Sequence, residues 1–192
     1  IKYVSVILIG IPIWYVVAVL VTFSPEFGAA MGMVEHPNAG RAVMFTYIGL
    51  AFGDLASGWL SQIIGSRKRV VLLFLTLTTI TIGLYFIPGA KSLTTFYSLC
   101  VAMGVSIGYW AVFVTIASEQ FGTNIRATAT TTVPNFVRGA VVPITIAFQA
   151  LTRSVGIEWA GIIVGAVTIG VAYLALAGLE ETYGKDLDYV DH

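Results

Sequence analysis

EQFGTNIRATATTTVPNFVRG, residues Glu119–Gly139, closes one long apolar run, turns through a short polar link and opens the next. It carries two arginines, Arg126 in the link and Arg138 twelve positions on. At about 1.5 Å per helical residue they stand roughly 18 Å apart, about half the hydrocarbon core of a bilayer. Arg126 can reach headgroups. Arg138 falls where the middle of a membrane helix is expected, and a cation at that depth needs a partner or a wet surrounding.

The composition around this stretch makes the membrane reading general. Of 192 residues, 57% are hydrophobic and 10% charged, with a mean hydropathy of +0.89. A soluble domain carries about a quarter charged residues. The formal net charge of zero gives no electrostatic case for nucleic acid. Cys100 is the single cysteine, so no intrachain disulfide or thiolate cluster is available. His36 and His192 have no metal-ligand partner at helical spacing. No phosphate-binding loop, Gly-x-Ser-x-Gly or nucleophile–base pair is present, so the chain reads as a non-enzyme without cofactor or metal.

Six apolar runs are long enough to span: Tyr3–Phe23, Arg41–Ile64, Val70–Ile87, Leu93–Ala117, Arg126–Leu151 and Ala160–Leu179, with a tail over 180–192. They are continuously apolar rather than alternating, which predicts an all-α membrane bundle and not a barrel. Ser24-Pro25, His36-Pro37-Asn38, Pro88-Gly89 and Gly122-Thr123-Asn124 break the runs. With the amino end cytoplasmic, Lys2, Arg67, Lys68, Arg69, Arg126 and Lys185 fall inside, and Arg41, Lys91 and Arg153 outside. That excess favours both ends on the cytoplasmic side, and a plasma membrane is the expected location. Gly49, Gly53, Ser57 and Ser61 recur every four residues, as do Gly104 with Gly108 and Gly161 with Gly165; such ladders mark close helix packing. Pro12, Pro134 and Pro143 lie inside runs, where each removes a backbone hydrogen bond.

Asp54 is the second ion at mid-depth. Two readings stand side by side. In one, Asp54 and Arg138 pair, or each meets backbone carbonyls, and they fix packing. In the other both face an aqueous cavity, where Asp54 binds and releases a proton and Arg138 holds an anionic substrate. Trp14, Tyr15, Tyr109 and Trp110 also lie midway along their runs, away from the interfaces that such residues favour, and either line a cavity or pack a core. Asn135, three residues before Arg138, shares roughly its helix face. At the expected cytoplasmic end, Arg67-Lys68-Arg69 suits topology and anionic headgroups. Glu119 and Arg126 can pair with each other or with that basic cluster, clasping the helix ends as a gate.

Several stretches together resemble one family. Ser118-Glu119-x-Phe121, then Arg126-Ala127-Thr128, is similar to the link between the tenth and eleventh helices of major facilitator superfamily transporters, with Gly122 in place of a proline and Ala129 in place of a glycine. The likeness is to sugar porters and to aromatic-acid and metabolite:proton symporters, and Arg138 matches an arginine of the organic-ion branch. Gly58-x-Leu60-Ser61-Gln62-Ile63-Ile64-Gly65-Ser66-Arg67-Lys68 resembles the superfamily's loop motif, with Gln62 at the acid position and Ile63 at the arginine. Glu181-Thr182-Tyr183-Gly184 resembles the sugar-porter tail, with Glu180 where that family has proline.

The resemblance implies the carboxyl-terminal six-helix half of a twelve-helix fold, with an amino-terminal half missing. It implies a central cavity lined by the first and fourth runs, hence Trp14, Tyr15, Tyr109 and Trp110, and a seam between halves at the second and fifth, hence Asp54 and Arg138. The expected activity is secondary active transport by alternating access, proton-coupled, of a small polar solute, an organic acid or a sugar. The alternative from another class is a self-contained six-helix channel or membrane scaffold.

Overall fold

The computed structural model describes residues 2–87 and 92–185. Pro88-Gly89, Lys91 and residues 186–192, including His192, lie outside the described residues. Every regular element among the described residues is helical. Helix α1 (Lys2–Tyr15) keeps Pro12 within it and continues into a π-helical segment, Val16–Val21. The short α2 (Ser24–Ala30) starts on Pro25 and leads to α3 (Ala39–Ile64). Then follow α4 (Arg67–Tyr85), α5 (Leu93–Ile107), α6 (Trp110–Glu119), α7 (Thr123–Gly139), α8 (Val141–Val155) and α9 (Ile157–Gly178).

The starts of these helices are written in the sequence. The side chains of Asn38, Ser66 and Ser92 each accept the N–H of the residue three positions on, at 3.1, 3.1 and 3.2 Å. This satisfies a donor that the helix itself cannot. Between α3 and α4 the chain turns on Gly65, whose φ of +63° suits a residue without a Cβ.

Five helical runs among the described residues are long and apolar enough to cross a membrane: Lys2–Val21, Ala39–Ile64, Arg67–Tyr85, Leu93–Glu119 and Ile157–Gly178. The run expected over Arg126–Leu151 is instead two helices of 17 and 15 residues, α7 and α8, meeting at Ala140. Pro143 has no N–H for the Gly139 carbonyl, so a rung is absent where the two meet. The run expected over Leu93–Ala117 is also divided. Gly108 (φ −75°, ψ 53°) and Tyr109 (φ −118°, ψ 18°) leave the helical region between α5 and α6.

Helix α1 is central, packed against α6, α7 and α9. Buried tyrosines tie these layers through their hydroxyls. Tyr15 donates to the Gly161 carbonyl at 2.6 Å, Tyr109 to Ile9 at 2.9 Å and Tyr85 to Leu20 at 3.0 Å. Helices α3 and α5 cross backbone against backbone. A methyl group on Gly49 would strike the Val101 carbonyl, one on Gly53 the Val105 carbonyl, and one on Gly104 the Thr46 carbonyl. The four-residue ladders therefore mark a crossing that only glycine admits. Apolar side chains also cover much of the outside. Phe52, Leu55, Trp59 and Ile63 form an exposed stripe on α3, and Leu174 on α9 is 77% exposed. This distribution is that of a helical membrane bundle.

Candidate functional site

The break before α6 creates the site. A helix that starts at Trp110 leaves its first amides without intrahelical acceptors. Asp54, on α3, supplies one: its Oδ1 accepts the Ala111 N–H at 3.2 Å. The carboxylate thereby sits at the positive end of the α6 dipole. The glycine crossing places it there, because Gly53 packs directly on Gly108. Asp54 is half-buried and forms no ion pair among the described residues.

Trp110, the first residue of α6, carries the other half of the arrangement. Its ring stands edge-on to Trp14, with centroids 6.2 Å apart at 82°. The Arg138 guanidinium carbon lies 5.4 Å from the Trp110 ring centre, a cation–π contact. These groups border a cavity of about 150 Å³, with Val17, Tyr47 and Leu50 completing its wall. At about 30 Å³ per water, that is room for roughly five waters, or for a compact polar group. The Trp14 indole Nε1 is buried and has no hydrogen-bond partner. Arg138 is exposed and makes no hydrogen bond or ion pair among the described residues. A forked cation on this cavity can hold a carboxylate or similar acceptor, while the indoles contact the apolar body attached to it.

Asp54 and Arg138 therefore form no ion pair with each other. Asp54 holds the first turn of α6, and Arg138 stacks on the residue that begins that turn. Among the mid-depth aromatics, Trp14 and Trp110 line the cavity. Tyr15 and Tyr109 are fully buried, with their hydroxyls given to backbone carbonyls, and serve packing. Asn135 donates its Nδ2–H to the Thr131 carbonyl at 2.9 Å. It borders a separate groove of about 500 Å³ beside Thr132 and Phe136. The break at Gly108–Tyr109, which organises all this, lies inside a run that reads as continuously apolar. Its only sequence signal is Gly108, which also belongs to the packing ladder.

A second cluster closes the end of the bundle at Arg67. The Arg67 Nη2 lies 3.4 Å from Glu119 Oε1, with both side chains only 13% exposed. Its Nη1 donates to Ser61 Oγ at 2.6 Å, and its guanidinium carbon lies 5.1 Å from the Tyr183 ring centre. The other Glu119 oxygen accepts the Thr182 hydroxyl at 2.7 Å. Glu181 accepts the Ser66 hydroxyl and the backbone N–H groups of Arg67, Lys68, Thr182 and Tyr183. Partial burial pushes its carboxyl up, but the Ser66 hydroxyl and the Tyr183, Arg67 and Lys68 amides together outweigh burial and hold it below the usual carboxylate range. Lys68 Nζ donates to the Ala177 and Leu179 carbonyls at 3.0 and 2.7 Å. Arg126 Nε donates to the Ser118 and Phe121 carbonyls, both at 3.1 Å, and fixes its own link. Of the four residues expected as a gate, Arg67, Lys68 and Glu119 meet in this network through the 180–183 segment.

Among the described residues no group of three His, Cys, Asp or Glu side chains is placed to hold a metal ion. No protein-family model, curated protein or solved structure matches the chain.

Proposed function

We infer that the protein works as one six-helix half of a secondary active transporter of the major facilitator type. It binds a small organic anion at the Trp14–Trp110–Arg138 cavity and couples its passage to a proton at Asp54. The observation that carries this reading is an exposed guanidinium, without hydrogen bond or ion pair among the described residues, stacked on Trp110 at a small cavity that Trp14 also lines. Ions left uncancelled at membrane depth stabilise a fold poorly and mark solute pathways. An anion is favoured over a sugar because the Arg138 fork suits a charged acceptor and no carboxylate lines the cavity.

In this mechanism the substrate carboxylate meets the Arg138 fork, with its apolar body against the Trp14 and Trp110 rings. Asp54 takes up a proton from one aqueous side and yields it to the other. While ionised, Asp54 holds the Ala111 amide strongly; once protonated it holds that amide less, and the first turn of α6, with Trp110, is released. The exposed apolar stripe Phe52, Leu55, Trp59 and Ile63 offers a second six-helix bundle a dry face to rock against. In this reading both chain ends lie on the cytoplasmic side, which the lysine and arginine excess favours.

Equilibrium competition binding tests the reading. Arg138→Gln is expected to weaken an aromatic or aliphatic carboxylate at least about tenfold while leaving a neutral isostere nearly unchanged, since one charge-assisted bidentate contact is lost. Equal loss for both ligands would assign Arg138 to architecture. Passive flux through reconstituted vesicles, never concentrating solute, would favour a channel.

A further inference from the structure

A further cavity lies away from the proposed transport site. It is a groove of about 620 Å³ on the flank of the bundle, between the start of α4 and the end of α9. Two cross-links frame it. At the end of the bundle Lys68 bonds the Ala177 and Leu179 carbonyls. Deeper, the Tyr173 hydroxyl meets Thr76 Oγ1 at 3.2 Å and Thr79 Oγ1 at 3.3 Å. Eight residues of α4 separate these ties, about 12 Å along the axis. Between them the wall is apolar: Leu72 is 46% exposed and faces Leu176 and Ala177 across the gap.

The mouth is different. Arg69 is exposed there, and its guanidinium has no hydrogen bond or ion pair among the described residues. Lys68 adds a second cation. Glu181 also borders the mouth, but both its oxygens are occupied by the Ser66 hydroxyl and four backbone amides. One end therefore wants an anion, and the rest wants hydrocarbon.

The geometry points to a binding site for a single anionic glycerophospholipid, its phosphate at Arg69 and Lys68 and one acyl chain along Leu72, Leu176 and Ala177. A free phosphate would use only the mouth. A neutral phospholipid would fill the groove but gain nothing from Arg69. The occupant bridges α4 to α9 between their two existing ties, and its binding is independent of the transport reading.

Native mass spectrometry of the purified, delipidated full chain, titrated with phosphatidylglycerol or phosphatidylcholine of the same chains, decides the matter. One phosphatidylglycerol is expected to be retained in preference to phosphatidylcholine. Arg69→Gln lowers that preference about fivefold, the factor that one cation near a surface is worth. Ala177→Trp fills the groove and abolishes retention with Arg69 intact. Millimolar inorganic phosphate leaves retention unchanged. Equal retention of the two lipids, an undiminished preference in Arg69→Gln, or displacement by phosphate would each overturn the assignment. Arg69 is exposed and unpaired, so Arg69→Gln settles the question if Ala177→Trp does not fold.

Discussion

The two charged regions of this molecule treat their ions in opposite ways. At the Arg67 end, Glu119, Glu181, Arg67 and Lys68 are tied to each other, to hydroxyls and to backbone groups. At the start of α6, Asp54 meets the backbone amides of Ala111 and Trp110, and Arg138 has a ring face and no anion among the described residues. Charge near the rim is easy to keep because water is close. Under the proposed transport reading the α6 ions lie at membrane depth, where charge is costly, so leaving them uncancelled suits a ligand rather than a fold. The first region should therefore respond to mutation through stability, and the second through binding.

That contrast breaks most sharply at the rim. Glu119→Ala strands a largely buried guanidinium and is expected to cost on the order of 3 kcal/mol in detergent unfolding. Adding Arg67→Ala should cost little more, so the double-mutant cycle shows strong coupling. Additive losses would mean that the pair does not lock this end. Asp54→Ala removes an acceptor from the α6 amides and should cost about 1 kcal/mol, while Asp54→Asn retains an oxygen and costs less. Both should abolish proton-driven accumulation in vesicles. Full accumulation by Asp54→Asn would remove Asp54 from coupling.

A smaller effect is expected from acid. The Glu181 carboxyl is depressed in the folded chain, so its stabilisation is complete above the unfolded value, about 4.3, and is lost as pH falls through the lower folded value. The melting temperature should therefore drop in that acid range, and Glu181→Gln should flatten the drop. An identical acid profile in that variant would move the effect to other carboxylates. The smallest change in stability belongs to Arg138→Gln, within about 0.5 kcal/mol, because the side chain is exposed and unpaired. A large loss there would erase the contrast between the two regions.

Much of this architecture is legible in the residues. Uninterrupted apolar runs locate the long helices, and Asn38, Ser66 and Ser92 announce three of their starts. The four-residue glycine spacing announces the α3–α5 crossing. The breaks are harder. Gly108-Tyr109-Trp110 is as apolar as its neighbours, and the departure from helix depends on the fit of Gly108 against Gly53, which is a tertiary fact. For the same reason the mid-depth tyrosines look equivalent to the tryptophans until their hydroxyls are traced to Gly161 and Ile9. Asp54 and Arg138 stand out by depth alone, but Trp110 as the link between them does not. The ion pair of Glu119 with Arg67 is brought in from another helix, which local spacing does not announce.

The glycine crossing has a mechanical corollary. Where α3 and α5 touch main chain to main chain, no layer of flexible side chains remains to act as a bearing, and sliding one past the other would drive carbonyl oxygens into Cα atoms. The two rods are obliged to travel as one piece. Any displacement of Trp110 relative to Asp54 must then originate at the two-residue joint of Gly108 and Tyr109, which makes that joint the elbow of the molecule.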